Sequence, residues 1–367
     1  MKIAYDGREA FGMRAGKGQV AYHLLCALMR IDSENEYFVF LSEPSRMNMP
    51  KNFHEVIVVG KGPLWHFNAK KEFTKRRLDV YFSPTSYIVA AIASFKTVIL
   101  VHDMVAFLKL TKHQAKATWV ERATLKAASK KCRAIMAVSE SSMRDLVNFF
   151  PSVESKVHVA HPAQARSEFS YPSSDGEKES AALGLVSGYI LFVGTIEPRK
   201  NIDGMLRAFK EYKEKVGNEA RKLVIVGKKG WHYEATFALV KELGLENDVV
   251  FTGFVTDAAL PYLYKNAGCF FFPSWYEGFG LILLEALALG CPVISSNTSS
   301  MPEVVGDAAI MVSPSDTTQM AEALEKVLSD EGLRKELIQK GFVQEKKFTW
   351  DDMAKKTLRV ILEAHEK

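Results

Sequence analysis

Short runs of β-branched and aromatic residues alternate with longer amphipathic segments through the first half of the chain. The runs have the length of single β-strands, and the segments between them repeat apolar positions at helical spacing. Strands are predicted at 2–6, 37–42, 55–59, 79–82, 96–101, 134–138 and 157–160, and helices near 17–31, 64–77, 112–132 and 139–149. This alternation predicts a parallel sheet with helices on both faces.

A polar, turn-rich stretch at 162–187 interrupts the alternation and predicts a linker or an exposed loop. Further strands are predicted beyond it at 189–194, 222–227, 248–251, 268–273, 292–295 and 308–312, each followed by a helix. The pattern from 316 to 365 is almost wholly helical, and Thr349 or Asp351 is placed to cap its final helix. The second half therefore predicts a second doubly wound sheet.

The fold class expected from these patterns is α/β, with two Rossmann-like, doubly wound parallel-sheet domains that face a cleft. A chain of 367 residues also exceeds what one hydrophobic core usually serves. We expect an N-terminal domain at 1–170, a C-terminal domain at 171–350, and a helix at 351–367 that crosses back onto the first domain. Ligands of open parallel sheets bind beyond the carboxyl ends of the strands, so the turns there are the candidate sites.

The composition, 47% hydrophobic and 25% charged, is typical of a soluble globular protein. No apolar run approaches the roughly 20 residues of a membrane-spanning helix. The first residues form a predicted strand and lack the features of a secretory signal, so we expect a cytoplasmic location. The cysteines have no paired spacing and are expected to be buried, reduced thiols; they are Cys26, Cys132, Cys269 and Cys291.

The positive charge lies in the first half of the chain. Residues 1–180 carry 26 Lys and Arg against 18 Asp and Glu, and the remainder carries 22 against 25. Such a basic surface could contact anionic lipid headgroups at the inner face of a membrane, or a phosphate-bearing acceptor, or it could be a solvated helix surface. No nucleic-acid partner is expected. Two predicted helices concentrate the cations: Lys70, Lys71, Lys75, Arg76 and Arg77, then Lys109, Lys112, Lys116, Lys126, Lys130, Lys131 and Arg133.

The turn at 194–201 follows the first strand of the second domain and leads into an amphipathic helix. It contains two adjacent cations, Arg199 and Lys200, immediately before the helix. The free N–H groups of a helix N-terminus also favour anions, so the turn predicts a diphosphate site. The alternative is that both cations are surface charges on a loop.

A glycine-rich turn at 273–285 carries a carboxylate at Glu277 and another at Glu285. Gly278 and Gly280 would let the backbone approach a ligand closely. Carboxylates in this position can accept hydrogen bonds from sugar and ribose hydroxyls. Because Glu285 lies in an otherwise apolar helix, we expect it to be buried with a partner rather than to face solvent.

In the first domain, the candidate residues are His102, Gly16 and Gly18. His102 follows a predicted strand, where an imidazole could orient or protonate a hydroxyl, although a lone histidine is more often structural. The glycines belong to a basic loop suited to the approach of a phosphate or sugar. They nearly match the dinucleotide-binding fingerprint, but Gly16 comes ten positions after the last residue of the strand, and no acidic residue ends the second strand.

At these residues the chain resembles the family-4 retaining glycosyltransferases, particularly their bacterial mannosyltransferase-like branch. The Glu-x7-Glu segment from Glu277 to Glu285, followed by Ala-Leu-Ala-Leu-Gly-Cys-Pro-Val-Ile, is the most specific part. The resemblance covers nearly the whole length, with one departure, His161-Pro162-Ala163, where many members have an Asn-Gly turn. It is densest at 193–201, 226–231, 251–253, 273–285 and 299–304.

The resemblance implies a GT-B fold, a nucleotide-sugar donor held mainly by the C-terminal domain, and no metal or other cofactor. The chain also contains no Asp-x-Asp triplet. It further implies a role for each candidate residue: Arg199 and Lys200 on the diphosphate, Glu277 with the N–H groups of Gly278, Phe279 and Gly280 on the transferred sugar, Glu285 on the ribose, His102 beside the reacting centre, and Gly16 and Gly18 near donor and acceptor.

The expected reaction is therefore retaining transfer of a hexose, mannose from GDP-mannose on the branch resemblance, to a hydroxyl of a glycan or lipid-linked glycan in surface polysaccharide synthesis. Five alternatives stay open. The donor could be a UDP-sugar, or the chain could be an epimerase or phosphorylase-like enzyme of similar fold. The remaining hypotheses are that the chain is a nicotinamide-dependent dehydrogenase or a non-catalytic sugar-binding subunit.

Overall fold

Two structural units divide the chain between them. The computed structural model describes residues 1–11, 16–108, 115–164 and 174–366, without the side chains of 115–117 and 218. One unit comprises Met1–Ala165 together with Phe348–Lys367, and the other comprises Arg166–Lys347.

The first unit is built on a seven-stranded parallel sheet with the strand order β3-β2-β1-β4-β5-β6-β7. Tyr5 of the first strand lies opposite Val39 on one side and Phe82 on the other. The inner strands are buried along nearly their whole length, as expected where helices cover both faces. The strands are β1 (Lys2–Asp6), β2 (Glu36–Leu41), β3 (Phe53–Ile57), β4 (Val80–Ser83), β5 (Thr97–Val101), β6 (Ala134–Ala137) and β7 (Val157–Val159).

The helices of this unit lie between the strands, and they are α1 (Gly16–Ile31), α2 (Pro63–Arg76), α3 (Ile88–Ile92), α4 (Ala115–Lys131) and α5 (Glu140–Phe149). Ser139 caps α5 by accepting a hydrogen bond of 2.9 Å from the Ser142 N–H. The five-residue α3 is not predicted from the sequence, because one turn of helix is too short to show a period.

The second unit has a six-stranded parallel sheet with the order β10-β9-β8-β11-β12-β13. Its strands are β8 (Tyr189–Val193), β9 (Leu223–Val226), β10 (Val249–Gly253), β11 (Ala267–Phe272), β12 (Val293–Ser296) and β13 (Ala309–Val312). Its helices are α6 (Ser174–Ala182), α7 (Ile202–Val216), α8 (Tyr233–Glu242), α9 (Leu260–Asn266), α10 (Leu281–Ala288), α11 (Met301–Val305), α12 (Thr317–Ser329) and α13 (Glu331–Glu345).

Part of the stretch interpreted as a linker is helical, and that interpretation is wrong for α6. This helix is polar and lacks an apolar stripe, so its sequence resembles a loop. Asp175 and Glu177 favour its N-terminal turn, and Glu179 accepts a hydrogen bond of 2.9 Å from the Thr256 N–H. Residues 165–173 of the predicted linker lie outside the described residues.

The last helix, α14 (Trp350–Glu366), packs on α1 and on the first sheet. The Trp350 ring stacks on His23 with the ring centres 5.1 Å apart, and its Nε1 donates to the Gln164 carbonyl oxygen at 2.8 Å. Thr349 caps the helix, as predicted, because its Oγ1 accepts from the Asp352 N–H at 3.1 Å.

Candidate active site

Two turns that follow neighbouring strands meet at one edge of the second sheet. β8 lies beside β11, and both strands run in the same direction. The turn 194–201 follows β8, and the turn 273–280 follows β11. Since the carboxyl ends of parallel strands share one edge, this topology brings the two sequence-predicted segments together.

The charged groups of the two turns form a closed cluster. Lys200 Nζ lies 2.7 Å from Glu277 Oε1, and Arg199 Nη1 lies 2.9 Å from Glu277 Oε2. Arg199 Nη2 also lies 2.7 Å from Oε1 of Glu197. The cluster therefore holds two cations and two carboxylates, with Glu277 bridging both cations.

Lys200 and Glu277 are each only 8% exposed. Lys200 Nζ lies 4.9 Å from the centre of the Phe272 ring, and Ser274 Oγ donates to Glu277 Oε1 at 2.8 Å. Burial alone would raise the pKa of Glu277, but Lys200 and then Arg199 lower it to about 2. Burial lowers the pKa of Lys200, although Glu277 opposes that shift. Glu277 is thus fully ionised at neutral pH.

Serine hydroxyls hold the backbone around Glu277. Ser300 Oγ donates to the carbonyl oxygens of Glu277 and Phe279 at 2.9 and 2.8 Å. The Glu277 N–H donates to Ser299 Oγ at 3.2 Å, and that hydroxyl also contacts the Glu277 carbonyl. The side chain of Asn201 donates to the carbonyl oxygens of Pro273 and Pro314 at 3.0 and 2.7 Å. These bonds fix the two turns against each other.

Helix α10 begins at Leu281, three residues later than the start near 278 that the sequence suggests. Gly280 precedes it with φ 102°, a conformation that disfavours any residue with a Cβ atom. Glu285 lies inside this helix and is 3% exposed, which agrees with the expectation that it does not face solvent. Gly278 and Gly280 are half-buried at the same turn, and Phe279 is buried.

In the first unit, His102 directly follows β5 and is 7% exposed. Its Nε2 lies 2.6 Å from the Pro84 carbonyl oxygen, so Nε2 carries the hydrogen and Nδ1 is an acceptor. Burial and then the charge of Lys17 lower the pKa of His102 to about 4. His102 is therefore neutral at pH 7, and it can orient a hydroxyl but cannot serve as a ready proton donor.

The two glycines predicted in a loop belong instead to the first turn of α1, which begins at Gly16. Gly18 is buried, whereas Gly16 is exposed. Lys17 between them lies 3.2 Å from Glu121 of α4 through its Nζ. The remainder of the predicted loop, residues 12–15, lies outside the described residues.

Of the predicted site residues, the second unit thus brings Arg199, Lys200 and Glu277 into direct contact, with Glu285 on the following helix. His102, Gly16 and Gly18 belong to the first unit. Glu197, Ser274 and Ser299 also belong to the site but are not predicted from the sequence, although all three lie in or beside the segments that carry the resemblance. Among the described residues, no cluster of three or more His, Cys, Asp or Glu side chains is arranged to hold a metal ion.

Comparison with known proteins identifies the second unit. Residues 176–344, which make up most of the second unit, match the family model for Glycosyl transferases group 1. This confirms the resemblance recognised in the sequence, and all the residues of the charged cluster lie within the match.

Two curated relatives from Escherichia coli are mannosyltransferases. The chain is 39% identical over 174 residues to the O-antigen chain mannosyltransferase B, covering 47% of this chain and 45% of that protein. It is 30% identical over 277 residues to the serotype-specific mannosyltransferase WbdA, covering 74% of this chain and 34% of that protein. The chain therefore spans less than half of the length of either relative.

Solved structures share the fold over the whole chain. The sucrose-phosphate synthase of Thermosynechococcus elongatus superposes with a TM-score of 0.77 at 18% identity, covering 99% of this chain and 98% of that one. Anabaena HepE, solved in complex with UDP and glucose, gives 0.76 at 16% identity, covering 99% and 100%. At these identities the likeness concerns the fold alone, and it confirms the predicted GT-B pair of parallel-sheet domains.

Proposed function

We propose that the chain is a retaining glycosyltransferase that moves a hexose from a nucleoside diphosphate to a hydroxyl of a glycan or lipid-linked glycan. The observation that carries this proposal is the buried cluster of Arg199, Lys200 and Glu277 inside a glycosyltransferase group 1 domain. In the reaction, the bond from the anomeric carbon to the diphosphate breaks and a bond to the acceptor oxygen forms. The hydroxyl proton leaves with the diphosphate.

The cluster assigns a role to each group. Arg199 and Lys200 stabilise the charge that develops on the departing diphosphate, an effect that is strong in a buried site. Glu277, with the backbone at Gly278, Phe279 and Gly280, binds the transferred sugar. The orientation of the Glu277 carboxylate is fixed before the ligand arrives. These residues act without a metal in the proposed mechanism.

Outside the cluster, Glu285 accepts from the ribose hydroxyls in this proposal. Neutral His102 accepts a hydrogen bond from a sugar hydroxyl through Nδ1 and orients it. Gly16 and Gly18 are proposed to let a bound sugar approach the backbone at the start of α1. GDP-mannose is the proposed donor and mannose the transferred sugar, because the Escherichia coli relatives are named mannosyltransferases. A UDP-sugar is the second candidate for the donor.

The nucleotide can be tested by thermal unfolding with GDP, UDP, ADP and NAD at equal concentrations and without metal. A ligand present at a hundred times its Kd stabilises by about 2.7 kcal/mol. We expect GDP to raise Tm by about 5–11 °C, since 1 kcal/mol shifts a domain of this size by roughly 2–4 °C.

The control for this experiment is a pair of lysine variants. Lys200→Met should lose the GDP shift, whereas Lys222→Met should keep it, because Lys222 is exposed before β9 at the opposite end of the sheet. A shift with UDP alone would change the proposed donor from GDP-mannose to a UDP-sugar and leave the proposed enzyme class unchanged. A shift with NAD alone would overturn the proposal.

The first unit is proposed to contact a membrane surface through the start of α2. Val59, Leu64 and Phe67 are 77%, 57% and 52% exposed there, and Leu64 and Phe67 lie on one side of the helix. No helix in the described part of the chain is long and apolar enough to cross a bilayer. The contact would therefore be peripheral. Exposed cations lie in α2 and at its two ends, and they are Lys61, Lys71, Lys75, Arg76 and Arg77, of which Lys75 and Arg76 pair with Glu72.

Part of the basic surface expected from the sequence has a structural role instead. Lys70 and Lys131 donate to the carbonyl oxygens of Ile92 and Ala91 at 2.8 and 2.7 Å, at the C-terminal end of α3. Three further cations of that surface cannot be placed on it, because Lys109 and Lys112, and the side chain of Lys116, lie outside the described residues.

Membrane contact can be tested by cosedimentation with phosphatidylglycerol vesicles. Burial of a leucine or phenylalanine contributes about 1.5–3 kcal/mol, so Leu64→Ser with Phe67→Ser should reduce binding at least tenfold. Val343→Ser removes an apolar side chain that is 65% exposed on the second unit, and it should bind like wild type. Unchanged binding of the double variant, or no binding of wild type, would contradict the proposal.

A further inference from the structure

A cavity of about 530 Å³ opens on the first unit, away from the residues assigned above. Its size lies within the range of about 300–1,000 Å³ that is typical of small-molecule sites. It is lined by side chains from three segments: the loop after β1, helix α1 and the loop after β2. The lining includes Arg8, Phe11, Tyr22, Glu43 and Arg46.

Arg8 is held in place before any ligand binds. Its guanidinium lies over the buried Trp65 ring, 5.1 Å from the ring centre. Its Nη1 donates to His66 Nε2 at 2.9 Å, and its Nη2 lies 2.8 Å from Glu9 Oε1. Burial and then Arg8 lower the pKa of His66 to about 4, so this ring remains a neutral acceptor. A fixed guanidinium recognises a ligand with little loss of conformational entropy.

Two arginines and one glutamate line the cavity, and Glu9, which pairs with Arg8 outside the lining, brings the local charge into balance. Arg8 is paired with Glu9, and the exposed Arg46 shares the cavity with Glu43. Two aromatic rings, Phe11 and Tyr22, meet edge to face with their centres 5.9 Å apart. Aromatic surface beside both donors and acceptors suits a neutral ligand with many hydroxyl groups, whereas a phosphate would require net positive charge.

The cavity opens at the carboxyl edge of the sheet, where β2 ends. The same edge carries His102 at the end of β5. In the strand order β2-β1-β4-β5 these ends are three strand spacings apart, about 14 Å. A linear glycan whose terminal hydroxyl lay at His102 would therefore extend along this edge to the cavity.

We infer that the cavity is a subsite for the inner sugars of the acceptor glycan, so that the enzyme recognises an oligosaccharide rather than a single sugar. This inference rests on the proposed function for its acceptor. It assigns Arg8, Glu43 and Arg46 to hydroxyl groups, and Phe11 and Tyr22 to the apolar face of a sugar ring.

The test measures binding and turnover separately. Calorimetric titration without donor would use trisaccharides of mannose, glucose, galactose and N-acetylglucosamine, with the matching methyl monosaccharides. We expect one trisaccharide to bind at least tenfold more tightly than its monosaccharide. The double variant Glu43→Gln/Arg46→Ala should lose that difference. In transfer assays it should lower the ratio of kcat/KM for the trisaccharide over the monosaccharide about tenfold.

A matched control is Glu34→Gln/Lys51→Ala, which changes exposed residues before β2 and β3 at the opposite edge of the sheet. This variant should bind like wild type. The inference is overturned if no trisaccharide binds, if the cavity variant binds as wild type does, or if inorganic phosphate displaces the sugar. Trisaccharide binding at the cavity with no transfer from any nucleotide sugar would refute the proposed function and leave the subsite standing.

Discussion

Glu277→Gln is expected to lower both the stability and the activity of the protein. The substitution leaves Lys200 and Arg199 without the carboxylate that bridges them, and Lys200 is buried. Removing one partner of a buried ion pair costs about 3–5 kcal/mol. We expect Tm to fall by about 10 °C and transfer to fall at least a hundredfold, because the sugar loses a fixed acceptor.

A second substitution separates these two effects. In Lys200→Met/Glu277→Gln, the cluster again holds equal numbers of cations and anions, because Arg199 keeps its contact of 2.7 Å with Glu197. Most of the lost stability should return, while transfer stays at least a hundredfold below wild type. Equal stability of the single and double variants would show that the cluster does not couple these charges.

The pH dependence of unfolding offers a further check on the same variant. The pKa of Glu277 lies at about 2 in the folded chain, against an ordinary value of 4.5. A lowered carboxyl pKa stabilises the folded state above pH 4.5, and this contribution, about 3 kcal/mol, is lost as the pH falls from 4.5 towards 2. The free energy of unfolding of Glu277→Gln should not show this decrease between pH 4.5 and 2.

The surface pair of Lys215 and Glu325 provides the matched control for the Glu277 series. Both side chains are substantially exposed, at 53% and 35%. Exposed ion pairs contribute little to stability, so Glu325→Gln should shift Tm by no more than a few degrees and leave transfer unchanged. A similar fall in Tm in Glu277→Gln and Glu325→Gln would indicate that burial does not strengthen the contribution of the Glu277 cluster to stability.

The sequence predicts the strands closely because buried parallel strands appear as continuous apolar runs. β5, for example, is predicted at 96–101 and observed at Thr97–Val101. Helix α6 escapes prediction for the opposite reason, since it is held by polar contacts and by the close approach of Gly176 to Ala258. Local pattern identifies an element only where burial is what stabilises it.

The candidate site shows the same limit. Arg199, Lys200 and Glu277 can be selected from their positions in turns, but their direct pairing follows from the adjacency of β8 and β11. These strands are separated by more than seventy residues and by two other strands, so no local pattern reports their contact. The supporting hydroxyls of Ser274, Ser299 and Ser300 could not be predicted from the sequence either, because serine is common in turns for reasons unrelated to a ligand.

Gly227→Ala is expected to destabilise the second unit by about 3 kcal/mol or more. Gly227 follows β9 with φ 146°, and a Cβ atom there would lie 1.9 Å from the Gly194 carbonyl oxygen. Neither backbone can yield easily, because the Gly194 N–H donates to Val226 and the Gly227 N–H donates to Gly253, each at 2.8 Å. Overpacking and backbone strain each cost about 1–3 kcal/mol.

The same substitution should also weaken nucleotide binding, because Gly194 begins the turn that carries Arg199 and Lys200. Urea unfolding measures the stability loss, and the GDP-dependent rise in Tm measures the binding loss. Gly217→Ala is the matched control: its φ is 62° and its ψ −129°, and nothing lies within 4 Å of the added Cβ, so only backbone strain of about 1–3 kcal/mol is expected. If both variants lost the same stability and kept the GDP shift, the contact between Gly194 and Gly227 would have no part in shaping the donor site.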